Sequence, residues 1–233
     1  MAQVTNPVPA EILATGATKT ATGDAATLQV HSSVSCSEGR FLQDLIRQIN
    51  PTVTLEIGLA YGVSALFICD ALNIRQGTQH IVIDPHQCGD PDRSWQGIGI
   101  ANLRRAGYGE IVRLIQSPSY RALSELERSG QRVDFAFIDG WHTFDFALVD
   151  FFFIDRMLIP GGVVAFDDAD WPAIRKVCRF VKTNLAYSVL SDPIPASLKR
   201  RLFGRFLLRK PFRSWVRRVG RQLGSRRLLY CLP

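Results

Sequence analysis

Five short apolar runs, each closed by polar residues, constrain this chain more than any other feature. They are Val53–Gly58, His80–Pro85, Ile111–Gln116, Val133–Asp139 and Val163–Asp168. Stretches with helical apolar spacing lie between and after them, at Gly62–Leu72, Trp95–Ala106, Ser119–Glu127, Phe144–Met157 and Pro172–Asn184. Strands joined through helices need crossover connections, and crossovers give a parallel sheet covered on both faces. The expectation is an α/β fold, a Rossmann-like doubly wound and mostly parallel sheet of about seven strands. Tyr187–Leu190 and Arg205–Leu208 would supply the last two, at an edge.

One more helix precedes the first strand. Ser35 and Glu38 have capping-box spacing, Phe41, Leu42, Leu45, Ile46 and Ile49 form an apolar stripe, and Pro51 ends it. Residues 1–31 are rich in Ala and Thr without an aromatic residue, and are expected to stay mobile or lie loosely on the surface. Pro160-Gly161-Gly162 reads as a turn before the fifth strand. The domain is thus expected over 32–210, with a tail over 211–233.

Composition narrows the class. With 233 residues, 46% of them hydrophobic, the chain suits one soluble domain, and no apolar run reaches a membrane span's length. The N-terminus lacks a basic segment leading into an apolar run, so a cleaved signal is not expected. The five cysteines are odd in number and lack C-x-x-C spacing, which suits reduced thiols in a cytoplasmic protein. No Cys/His cluster has zinc-ligand spacing.

The net charge of +7 is unevenly placed. From Lys199 onward there are 12 basic residues and no acidic ones, leaving 16 basic and 21 acidic residues before it. The basicity therefore belongs to the tail and does not mark the whole chain as a nucleic-acid binder. Phe212, Trp215, Val216, Val219 and Leu223 fall at helical spacing, with Arg213, Arg217, Arg218 and Arg221 mainly opposite. That pattern fits contact with an anionic membrane surface or a partner helix, and equally a helix packed on its own domain or on a second subunit. Homo-oligomerisation stays open.

Open parallel sheets bind ligands beyond the carboxyl ends of their strands. After the first strand stands Glu56-Ile57-Gly58-Leu59-Ala60-Tyr61-Gly62-Val63-Ser64. Gly58 and Gly62 bracket a tight strand-to-helix turn that lets a ligand lie against backbone, and the following helix offers free amides. Ala60 replaces the middle glycine of a dinucleotide fingerprint, and the Glu56 carboxylate suits a cationic ligand better than a pyrophosphate. Asp84 ends the second strand, where an acid accepts from ribose hydroxyls. His86 and Ser117 lie at neighbouring strand ends.

Asp139 ends the fourth strand, and Asp167 and Asp168 end the fifth. Adjacent parallel strands stand about 5 Å apart, so three carboxylates are expected to converge. Their repulsion would be relieved by a hard divalent cation such as Mg²⁺. Helix caps or Lys/Arg partners are the alternative. His142, three residues beyond Asp139, is placed to serve as a proton acceptor or to cap the next helix.

Read together, these features resemble the class I S-adenosylmethionine-dependent methyltransferases, from about Ser35 to Lys210. Glu56-x-Gly58-x-x-x-Gly62 is similar to that family's first motif, Asp84 to its ribose ligand, and Pro160-Gly161-Gly162 to its usual turn. Ile138-Asp139-Gly140-Trp141-His142 with Phe166-Asp167-Asp168 resembles the metal-dependent O-methyltransferase branch, closest to members acting on sugar hydroxyls. The resemblance implies S-adenosylmethionine bound by Glu56, Gly58, Ala60, Tyr61, Gly62, Ser64, Asp84, His86, Ser117 and Asp139. It implies Mg²⁺ on Asp139, Asp167 and Asp168, His142 as general base beside Asp139, and a small hydroxyl acceptor such as a sugar or polyol. Ser117-Pro118-Ser119 departs from the family's Gly-Asp-Ser, which leaves Ser117 as the adenine-side candidate. A methyltransferase fold recruited to RNA by the arginine tail, and a nicotinamide-dependent dehydrogenase, are the competing readings. The acidic body opposes the first and the glycine spacing opposes the second.

Overall fold

The structure is a computed structural model that describes residues 6–19, 25–27, 33–90, 92–185, 187–189 and 206–209. Its central sheet is built from β3 (Val53–Ile57), β4 (Gln79–Ile83), β5 (Val112–Ile115), β6 (Val133–Ile138), β7 (Leu158–Phe166), β8 (Ser188–Val189) and β9 (Phe206–Arg209). The order is β5-β4-β3-β6-β7-β9-β8. The first five are parallel, and β9 and β8 complete the edge antiparallel. The two short edge strands thus form where the sequence placed them.

Helices α2 (Cys36–Ile49), α3 (Val63–Ala71), α4 (Ile98–Arg105), α5 (Ser119–Arg128), α6 (Phe144–Met157) and α7 (Pro172–Asn184) connect these strands and cover the faces. On one face α5, α6 and α7 pack Leu123, Phe151, Ile154 and Val177 over Ile57, Ile138 and Phe166. On the other, Leu42 and Ile46 of α2 meet Ile68, Phe135 and Phe137. Phe67, Phe135, Phe137 and Phe166 are all fully buried. Each such ring removes apolar area worth about 2–3 kcal/mol from water.

The capping box at α2 forms as its spacing predicts. The Glu38 backbone N–H donates to Ser35 Oγ at 3.3 Å, and the Ser35 N–H donates to Glu38 Oε2 at 2.8 Å. Pro160-Gly161-Gly162 behaves differently from the expected turn, because β7 runs through it. Between the pairs Val133↔Leu158 and Phe135↔Val163 the register shifts, and Gly161 takes φ +84° within that bulge.

Residues 1–31 need a correction, because part of this segment is docked. Helix α1 (Pro7–Thr15) has Asn6 as its cap, Gly16 in the left-handed conformation at its end, and Ile12 fully buried against the α3 side of the core. Asn6 Nδ2 donates to the Ala106 carbonyl at 2.9 Å, and Thr18 Oγ1 donates to Asn102 Oδ1 at 2.7 Å. Thr18 belongs to β1 (Ala17–Lys19), which pairs antiparallel with β2 (Ala25–Thr27). The remaining residues of 1–31, and the tail 211–233 with Cys231, lie outside the described residues. Among the described residues Cys36, Cys69, Cys88 and Cys178 are free thiols, and no helix is long and apolar enough to cross a membrane.

Candidate active site

The strand order reverses between β3 and β6, which makes their carboxyl ends the crevice of the sheet. Ile57 pairs with Ile138 there, and the Asp139 N–H donates to the Ile57 carbonyl at 3.0 Å. Gly58 follows with φ +89°, and a β-carbon on it would stand 2.2 Å from the Asp139 carbonyl oxygen. Gly62, φ +78°, has the Gly99 carbonyl 2.9 Å from the same hypothetical atom. Both glycines are therefore required by contact as well as by conformation.

Between them Ala60 also takes a positive φ, +47°, which a side-chain-bearing residue adopts only when held. Three groups hold it. Asp84 Oδ2 accepts from the Leu59 N–H at 3.1 Å and the Ala60 N–H at 3.0 Å. Gln87 Nε2 donates to the Ala60 carbonyl at 2.8 Å. Asn102 Nδ2 donates to the Tyr61 carbonyl at 2.9 Å, and Thr18 supports Asn102 from behind. Tyr61 meets Trp95 edge to face at 5.2 Å between ring centroids.

Two of the expected cofactor-side carboxylates are engaged within the protein. Asp84 is buried, and besides the two amides it accepts from Gln87 Nε2 at 3.1 Å and from the His86 N–H at 2.8 Å. Oδ2 meets three of these donors and Oδ1 one, so Asp84 braces the glycine turn and one acceptor position is left on Oδ1. Glu56 is fully buried; Ser64 Oγ donates to its Oε1, and His80 Nε2 lies 3.0 Å from its Oε2. Glu56 and Ser64 thus engage each other within the protein. His80 reaches Thr54 Oγ1 through its other ring nitrogen at 2.8 Å. His86 is exposed at the end of β4, and Ser117 is half-buried at the end of β5.

Around β6 and β7 the predicted residues do come together, in a different arrangement. His142 lies between two carboxylates: Nδ1 is 3.4 Å from Asp168 Oδ2, and Nε2 is 4.0 Å from Asp139 Oδ1. The Asp167 N–H donates to the Ile138 carbonyl at 3.0 Å, continuing the ladder. Asp168 takes φ +47°, and its carbonyl accepts from the Trp171 N–H at 2.8 Å. Burial, and then the adjacent Asp167, hold the Asp168 carboxyl above the usual carboxylate range, while His142 pulls it back. Among the described residues no three acid, His or Cys side chains are gathered around one point for a metal. The convergence of Asp139, Asp167 and Asp168 is thus corrected: an imidazole stands between the strand ends, because the loop after β6 folds His142 back over them.

Aromatic rings rim this cluster. Trp171 packs on His142 at 5.1 Å, and Trp141, Phe144 and Trp171 are all exposed. Beneath it lies Asp150 of α6, a residue no motif singled out. It is 1% exposed, and its Oδ1 has no hydrogen-bond partner among the described residues. Burial pushes its carboxyl up to about 6, with a hydrogen bond from Ser119 opposing. Gln87, Asn102 and His80 were also not singled out; their partners lie 27, 41 and 24 residues away, beyond any local pattern.

Comparison with known proteins agrees with this architecture. A family described as "Methyltransferase domain" matches residues 55–169. The chain is 30% identical over 155 residues to tapetum-specific methyltransferase 1 of Arabidopsis thaliana, covering 63% of this chain and 61% of that protein. It is 30% identical over 145 residues to a caffeoyl-CoA O-methyltransferase of Populus kitakamiensis, covering 60% and 56%. The match thus spans less than two thirds of those relatives. The O-methyltransferase of Bacillus cereus, solved in complex with SAH, shares the fold with a TM-score of 0.61 at 20% identity, over 76% of this chain and 82% of that one. Residues 55–169 thus match the methyltransferase-domain family, and the chain shares the fold of the solved O-methyltransferase.

Proposed function

We propose that this protein is an S-adenosylmethionine-dependent O-methyltransferase acting on a small molecule that carries neighbouring hydroxyls, such as a sugar, another polyol or a catechol-like ring. The observation that carries the reading is His142 between Asp139 and Asp168, beside a glycine turn at the strand-order reversal. The turn over Gly58–Gly62 offers bare backbone to the donor, and Tyr61 within it, His86 after β4 and Ser117 after β5 are the further side chains proposed to meet it. An alcohol oxygen is a weak nucleophile near neutral pH, so methyl transfer needs its proton removed as the bond forms. His142 would accept that proton at one ring nitrogen while the carboxylate at the other fixes the ring. Trp141 and Trp171 offer flat faces on which a sugar or aromatic ring can lie, excluding water from the sulfur–carbon–oxygen line.

Asp139, Asp167 and Asp168 carry the hard oxygens that a divalent cation takes, and holding one would need them to draw together from the arrangement in which His142 stands between Asp139 and Asp168. Such an ion, when bound, would acidify the acceptor hydroxyl. The test has two arms. S-adenosylhomocysteine should raise the melting temperature where NAD does not. Methyl transfer to a panel of vicinal diols should then identify the acceptor class. No response to S-adenosylhomocysteine would sink the reading.

A further inference from the structure

Charge in this chain divides at the rim of the site. Residues 1–170 hold 12 Lys and Arg against 20 Asp and Glu; residues 171–233 hold 16 against a single acid, Asp192. The divide coincides with the start of α7, whose capping residue Trp171 packs on His142.

Helix α7 buries Ile174, Val177, Cys178 and Val181 and turns Arg175, Lys176, Arg179 and Lys182 outward. No acidic residue lies within Pro172–Asn184. Among the described residues the arginines held in ion pairs are Arg47, Arg105 and Arg156, so the α7 cations face solvent without such partners. Two large apolar rings share this surface, Trp171 at 50% and Phe180 at 42% exposure. After β8 and β9 the sequence adds seven more basic residues and no acid from Lys210 to Pro233.

We infer that the outer face of α7 docks on an anionic lipid surface and turns the site's mouth toward hydroxyl groups carried by lipid-anchored acceptors. Clustered cations attract acidic headgroups, and each one near the surface is worth about a five-fold gain in partitioning. Phe180 and Trp171 are of the type that settles at headgroup depth. An exposed Phe180 beside the cations favours a bilayer over a nucleic acid, because the membrane interface takes up an apolar ring as well as neutralising charge. Docking is independent of the enzymatic reading; only the acceptor class rests on it.

The test uses the full chain. Co-sedimentation is measured with phosphatidylcholine vesicles and with vesicles that also contain phosphatidylglycerol, at low and raised salt. Binding should favour the anionic vesicles and weaken with salt. Reversing the four α7 charges, R175E/K176E/R179E/K182E, should lower that binding more than about tenfold. Equal binding to both vesicles, unaltered binding of the reversed variant, or tighter binding of single-stranded RNA than of anionic vesicles would overturn the inference. The melting-temperature response to S-adenosylhomocysteine is read on the same samples. It should survive in the variant if the helix still folds. Its loss in the parent protein would count against the methyltransferase reading and leave the docking result standing.

Discussion

The carbonyl oxygen of Asp139 occupies the space into which a side chain at Gly58 would project, 2.2 Å from the position of that missing β-carbon. This contact fastens the end of β6 to the start of the glycine turn, and so joins the proposed donor side of the site to its proposed acid–base side. Gly58→Ala should therefore do more than strain a backbone at φ +89°. The expected cost is about 2–3 kcal/mol of stability. Thermal unfolding reads that cost, and calorimetry should show weakened S-adenosylhomocysteine binding.

Asp84 tests the bracing of the turn. Asp84→Asn keeps the size but turns one acceptor oxygen into a donor facing backbone N–H groups. Losing charge-assisted bonds to the Leu59 and Ala60 amides should cost roughly 1.5–3 kcal/mol. A melting temperature equal to the parent's would mean that the turn holds its shape without them.

His142→Gln should separate chemistry from binding. Methyl transfer is expected to fall by about 10²–10⁴-fold, the range for removing a general base. Binding of the demethylated cofactor should stay near the parent value, since His142 contacts Asp139, Asp168 and Trp171 and not the glycine turn. Full activity in this variant would exclude the base role.

Divalent-ion dependence is checked by chelation. Activity should fall in excess EDTA and return on adding Mg²⁺, and Asp167→Ala or Asp168→Ala should abolish turnover while sparing cofactor binding. Undiminished turnover in EDTA would leave His142 and its carboxylates as the whole of the proton-transfer machinery.

Asp150 makes a pH prediction. Its carboxyl is raised to about 6 in the fold, against an unfolded value near 3.8. The folded state therefore holds the proton more tightly, and the resulting stability is present below the unfolded value and lost as pH rises through the folded one. The loss between roughly pH 4 and pH 6 amounts to about 3 kcal/mol. Asp150→Asn cannot lose a proton there. The parent's melting temperature should drop relative to the variant's across that window, and parallel curves would refute the assignment.

Much of this architecture was legible along the chain. The five buried strands, the two edge strands and the Ser35–Glu38 cap follow from local apolar patterning and spacing, which act within a few residues. Local pattern failed at α1, where a short helix gains its stability from burying Ile12 against a core contributed by α3 and α4. It also misses Ser64 and His80 as the partners of Glu56, whose type and place suggest a ligand contact.

Apolar patterning along the chain sets which residues close each strand, and so which side chains gather at one end of the sheet. Burial on both faces demands apolar runs, and that demand is written residue by residue. Packing of distant segments against one another sets which of those polar groups spend their hydrogen bonds on the protein and which remain open to a ligand. Asp84 turns inward to brace Ala60, while His142 comes between Asp139 and Asp168. A carboxylate's type does not reveal its partner, because in a buried site the nearest donor arrives from a distant part of the chain.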